Sequence, residues 1–236
     1  ALVSAEVLRF WFEEKDHSDD KNSACPVPST SDTDRFMRIS YLLVDIGSQV
    51  LRQFLSHCVS TSASNLDQYL ASNMNTINNL LTRKVLHKSQ FDILFPPTGD
   101  DTNLDDYDIT LLLNLLNNIV STLSVQEKNM IESLRNDRNI LYAHATSCKM
   151  NSSEYQTCWN SISSTLTTLS QQYGDNNFKL KIVQEIQRTQ VSGIPAGLNL
   201  DIIRTWFNRI EAIEEEIQIL MSRVGDLEKK RMDGGS

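Results

Sequence analysis

The chain has 236 residues, 40% of them hydrophobic, enough for one sizeable core with appendages or for two small ones. With only 8 Gly and 5 Pro it lacks the frequent tight turns that an all-β fold requires. The formal net charge of −8 excludes a broad nucleic-acid surface, which needs a clustered basic field, and leaves room only for a small local basic site.

Residues 1–15 read as a short helix carrying Val7, Leu8, Trp11 and Phe12, and 16–33 as a Ser-, Asp- and Pro-rich linker. Ser31, Asp32 and Thr33 are candidate caps for a helix over 35–57, where Ile39, Leu42, Leu43, Ile46, Val50 and Leu51 form one stripe. Further helices are predicted over 66–86 and 89–94. Phe95-Pro96-Pro97-Thr98-Gly99 then breaks the pattern. Asp100, Asp101, Asp105, Asp106 and Asp108 follow; without the central Gly and closing Glu of a calcium loop they read as a solvated loop with a helix cap. Residues 109–121 form the most apolar helix. Ser124-Val125-Gln126-Glu127 has the form of a capping box and starts a helix running to about residue 145. Helices over 152–173, closed by Gly174, and over 178–190 come next. A hinge at 192–197 precedes a last helix over 199–231. No strand and no internal repeat is found, so the fold is all-α: a helical bundle at 34–174, a helix and hinge at 175–198, and a long coiled-coil helix at 199–232, after the N-terminal helix and linker at 1–33.

Cys25, Cys58, Cys148 and Cys158 have neither Cys-x-x-Cys spacing nor paired histidines, and read as reduced thiols of a cytoplasmic protein rather than as disulfides or a zinc site. No metal and no cofactor is expected. The sequon Asn151-Ser152-Ser153 means little without a secretory route. No apolar run approaches the roughly eighteen residues a membrane span needs. A start at Ala1 rather than Met, the early linker and the trailing Gly234-Gly235-Ser236 read as marks of a piece of a multidomain chain.

In the helix after the capping box, Met130, Ile131, Leu134, Leu141 and Ala145 form the apolar stripe, and Arg138 falls on it between Leu134 and Leu141. A buried cation there needs an acidic partner, with Glu132, Asp137 and Asp108 as candidates, or a cleft where an anion arrives. His144 lies six residues on, roughly 120° round an ideal helix. The two converge only if the helix ends near Tyr142 or if a second copy completes the site. Spacing leaves a structural and a catalytic reading open.

At the C-terminus, Ile203, Trp206, Ile210, Ile213, Ile217, Leu220, Val224 and Leu227 alternate steps of three and four, a 3.5-residue period over about four heptads. β-Branched residues at the first core position suit a parallel two-stranded coil. The pairs Arg209 with Glu214 and Arg223 with Glu228 suit the same register. The competing reading is an amphipathic helix packed on its own domain, with Phe207 and Met221 widening the stripe.

Several stretches recur together in one order: Arg38-Ile39-Ser40-Tyr41-Leu42-Leu43-Val44-Asp45-Ile46-Gly47; Leu86-His87-Lys88-Ser89-Gln90-Phe91-Asp92-Ile93-Leu94-Phe95-Pro96-Pro97; Tyr107-Asp108-Ile109-Thr110-Leu111-Leu112; and Arg138-Asn139 to His144-Ala145. On these, residues 35–173 resemble the HEPN domains of the subfamily named after the DAZ-interacting RING-type ubiquitin ligase, common in invertebrate multidomain proteins. The resemblance implies a homodimer whose Arg-polar-x-x-x-x-His motifs face each other across a two-fold cleft, and in many members a metal-independent ribonuclease. It implies His144 as general base or acid at the ribose 2′-hydroxyl, Arg138 on the scissile phosphate and Asn139 orienting phosphate or His. Few basic residues remain to guide RNA; Arg135, one turn before Arg138, and Lys149, just after the motif, are the candidates for further RNA contacts. The alternative is a non-catalytic dimerisation module that assembles effector domains in a signalling or innate-immune-type protein, with protein partners reached through flanking domains.

Overall fold

Capping chemistry written into the sequence sets where most of the helices begin. The computed structural model of the chain describes residues 31–195 together with Leu198, Ile203 and Trp206. Ser31 takes extended backbone and its hydroxyl accepts from the Asp34 amide at 3.2 Å, starting α1 (Asp32–Tyr41). One π-helical turn (Leu42–Ile46) then leads into α2 (Gly47–Ser62). The helix predicted over 35–57 is therefore longer at both ends and carries a widened turn, a device that often marks function or strain.

The helix predicted over 66–86 is two helices, α3 (Leu66–Ser72) and α4 (Met74–Thr82). Asn73 separates them, because its side-chain amide donates to the Tyr69 carbonyl at 2.8 Å and so competes with the regular ladder. Lys84, at φ 60°, turns the chain out of α4 towards α5 (Lys88–Leu94).

The acidic loop is anchored from beneath. Arg52 of α2 donates to the carbonyls of Leu104 (3.1 Å) and Tyr107 (2.9 Å), around a 3₁₀ turn (Leu104–Asp106). Asp108 is the expected helix cap, its carboxylate accepting from the Leu111 amide at 2.7 Å to open α6 (Ile109–Asn118).

The capping box forms as read: Ser124 accepts from the Glu127 amide while Glu127 accepts from the Ser124 amide, opening α7 (Val125–Ala145). α8 (Ser152–Tyr173) begins at Asn151 and stops before Gly174. A Cβ on Gly174 would lie 2.7 Å from the Ser170 carbonyl and 2.5 Å from Phe178, so the glycine is needed where the next helix folds over this one. α9 (Asn176–Ser192) is capped by Asp175 and ends at Gly193, in the left-handed region at φ 92°.

Helices α2, α6, α7 and α8 pack in a ring, each on the next, and α8 also carries α1 and α9 on its flanks. α6 supplies the middle: Leu111, Leu112, Leu115 and Leu116 are all buried. Each such side chain contributes about 1.5–3 kcal/mol of burial. α9, which the sequence reading sets outside the bundle, packs on α8 and the π turn through buried Ile182 and Ile186. Arg38 of α1 donates to the carbonyls of Thr189 (2.8 Å) and Gln190 (3.0 Å), closing the far end of α9, and pairs with Asp34 at 2.7 Å.

Among the described residues every element is helical, and no helix is long and apolar enough to cross a membrane. The N-terminal helix read at 1–15 and the coil positions Ile210, Ile213, Ile217, Leu220, Val224 and Leu227 lie outside the described residues. Of the two coil positions inside them, Ile203 is fully buried within its own chain and Trp206 packs partly buried against the same core.

Candidate functional site

The rotation of α7 decides which of its polar residues reach the surface. Ile131, Leu134 and Leu141 face the core, and Asp137 is buried with them. The Asp137 carboxylate accepts from the Ser161 hydroxyl of α8 at 2.7 Å, and Ser161 shares a hydrogen bond with Ser133 at 3.0 Å. Burial pushes the Asp137 carboxyl above the usual carboxylate range, partly offset by Ser161 and Cys158. Burial and that neighbouring carboxylate push the Cys158 thiol up to about 11.

The inward polar group at this level is thus Asp137, and Arg138 stands half-buried at the edge of the stripe. Its guanidinium donates to the Thr110 hydroxyl of α6 at 3.0 Å and to the Asn139 side-chain oxygen at 2.8 Å, and lies over the Tyr142 ring at 5.1 Å. The three acids considered as its counter-ions are placed otherwise: Asp137 bonds to α8, Asp108 caps α6, and Glu132 is on the exposed face.

His144 belongs to the other edge of the helix. α7 continues to Ala145 rather than ending near Tyr142, so the motif stays on regular helix. The His144 Nε2 lies 3.5 Å from the Glu154 carboxylate, at the start of α8. Between the two helices the chain turns on Cys148, a non-glycine residue at φ 50°. Its amide donates to the His144 carbonyl at 2.8 Å and its thiol to the Ala145 carbonyl at 2.9 Å. Holding a side-chain-bearing residue there costs roughly 1–3 kcal/mol and needs surrounding structure to sustain it.

A single chain therefore does not bring Arg138 and His144 together, since one is tied to α6 and the other to α8. They flank the outward face of α7, where Asn136, Asn139 and Ala143 are exposed and Ile140 is 41% exposed. Arg135 is exposed one turn before Arg138, and Lys149 is exposed on the turn after His144. Asn139 belongs with Arg138 rather than with His144. Thr110, Tyr142 and Glu154 were not singled out from the sequence. Thr110 and Glu154 reach the motif only through packing of other helices, and Tyr142, four residues after Arg138, could have been found from helical spacing. Among the described residues no group of three or more His, Cys, Asp or Glu is placed to hold a metal.

A family model described as DZIP3/hRUL138-like HEPN matches residues 63–190, more than half of the chain and everything from the end of α2 almost to the end of α9. No curated protein and no solved structure matches it. The matched segment contains the whole Arg138–His144 motif, the α6 residue that holds the arginine and the α8 residue beside the histidine, and on this basis the chain belongs to the HEPN family of the DZIP3/hRUL138-like type.

Proposed function

We propose that the chain is a cytoplasmic HEPN module that pairs with a second copy of itself and binds or cleaves single-stranded RNA, without a metal, at a site built from Arg138 and His144 of both copies. One observation carries this reading: the two residues stand on opposite edges of an outward face of α7 where Asn136, Asn139, Ala143 and the apolar Ile140 are exposed. A two-fold axis across that face sets the Arg138 edge of one copy against the His144 edge of the other.

In the reaction His144 takes the proton of a ribose 2′-hydroxyl and the 2′-oxygen attacks phosphorus. The bond to the 5′-oxygen breaks, and the leaving oxygen takes a proton from the imidazolium of the second copy. The products are a 2′,3′-cyclic phosphate and a 5′-hydroxyl end. Arg138 balances the charge that develops on the phosphate oxygens, and the bonds to Thr110 and Asn139 hold its fork in place beforehand.

The acidic balance of −8 favours the second reading, a HEPN module that assembles larger complexes without cutting RNA. Cleavage of end-labelled single-stranded RNA in EDTA, alongside sedimentation, separates the two. Cutting with cyclic-phosphate ends, lost in Arg138→Ala and His144→Ala, is the expected result. A protein that sediments as a dimer and cuts nothing is an assembly module.

A further inference from the structure

Glu154 is the third residue of α8, and the short turn after α7 brings it back under the last turn of that helix. One carboxylate oxygen, Oε2, accepts from the Asn151 side-chain amide at 2.7 Å and lies 3.5 Å from His144 Nε2. Asn151 is itself fixed, because its side-chain oxygen accepts from the Glu154 backbone amide at 2.9 Å. Asn151 therefore has two tasks: it caps α8 and it orients the acid. The strained Cys148 is the hinge that sets this corner, and the Met150 amide ties it to the Asp32 carbonyl of α1 at 3.0 Å.

A neutral imidazole carries its proton on one nitrogen and a lone pair on the other. Which nitrogen has the proton is decided by the group that the ring meets, and a carboxylate can only accept. We propose that Glu154 is a positioning residue for His144: it accepts from Nε2–H, so that Nδ1 is the nitrogen that takes the proton in the reaction. The use of Nδ1 rests on the ribonuclease reading above; the tautomer does not. The His144 side chain is 25% exposed, so the ring is not sealed inside the bundle. The other charged groups at this corner are Lys149 on the turn, and Asp32 and Arg35 of α1, which pair with each other while Arg35 donates to the Met150 carbonyl at 3.1 Å.

The test is the full-length protein with ¹⁵N-labelled histidine, as wild type and as Glu154→Gln and Glu154→Asp. Both substitutions keep the backbone amide that caps to Asn151, and far-UV circular dichroism checks the fold. At a pH where His144 is neutral, the wild type shows the proton on Nε2. Glu154→Gln, whose amide can donate to that nitrogen, moves the population towards Nδ1–H, and Glu154→Asp keeps part of the wild-type pattern. On RNA, Glu154→Gln lowers kcat by about tenfold or more with KM unchanged, the usual size of effect for a group that orients another. Imidazole signals that are the same in wild type and Glu154→Gln, or a wild-type proton on Nδ1, would overturn the proposal. A tautomer change in a protein that cuts no RNA upholds the Glu154 assignment and removes the ribonuclease reading, so the two failures are told apart.

Discussion

The two ends of the bundle treat their carboxylates in opposite ways. Where α2, α7 and α8 meet, Glu127 accepts from the Ser124 amide at 2.6 Å and from the Tyr173 hydroxyl, and His57, whose ring lies 4.9 Å from that of Tyr173, favours its charged form through space. Burial, the largest single influence, pushes Glu127 up, but these groups together outweigh it and hold its carboxyl below the ordinary range. At the π turn, Asp45 and Glu185 of α9 are partly buried, and the Asp45 carboxylate adds to the cost of ionising Glu185. Burial pushes Asp45 up, with only Gln49 (3.0 Å), Tyr41 and more distant cations pulling it back. Burial and Asp45 likewise push Glu185 up against Lys181, and among the described residues its Oε2 is buried without a hydrogen-bond partner. Donors stabilise the anion at one end, and burial penalises it at the other. The core is common to both, yet acidification acts on the two ends with opposite sign.

The largest test of this contrast removes apolar packing at the π-turn end. Ile182→Ala, at a fully buried position on α9, is expected to cost about 2–5 kcal/mol. If α9 is held as firmly as the rest, urea unfolding stays a single transition; an early step confined to α9 shows that this end is the weaker one. A smaller effect is expected from Asp45→Asn. A carboxyl whose folded pKa is raised contributes stability that is full below its unfolded value, near 4, and is lost as pH rises through the folded value. The asparagine removes that loss, so the variant is expected to be more stable than wild type by about 1 kcal/mol at pH 8. The gain should fade towards pH 4, as read by thermal melts at the two values. Smallest is Tyr173→Phe, at a half-exposed pair. Glu127 is depressed, so its contribution is present above the unfolded value and lost on acidification. Removing the hydroxyl is expected to cost about 0.5 kcal/mol at neutral pH, after allowance for solvent screening, and almost nothing at pH 3. Equal pH slopes for Asp45→Asn and Tyr173→Phe would abolish the contrast.

Local signals carried far in this chain. The Ser124–Glu127 box and the Asp108 cap were legible because capping depends on side chains within three residues of the backbone they serve. The span of α8 matched its pattern from Ser152 to Tyr173 for the same reason. The break at Asn73 and the π turn were not legible. Asparagine is tolerated in mid-helix, and whether its side chain takes the Tyr69 carbonyl depends on what packs nearby. Periodicity also placed Arg138 on the core stripe. The structure put Asp137 inward instead, because α8 offers the Ser161 hydroxyl at that level and the arginine finds Thr110 at the edge.

By itself the sequence determined the all-helical class, most helix starts, the apolar identity of α6 and, through its ordered motifs, the HEPN family. These follow from composition, short-range capping and 3.6-residue periodicity, which need no knowledge of neighbours. Only the tertiary structure decided that Arg138 leans on α6 while His144 meets Glu154 on α8, that α9 closes onto the π turn, and that Ile203 is buried within its own chain. Each of those outcomes is a choice between partners far apart in the chain, made by the packing of helices whose relative rotation no local pattern records.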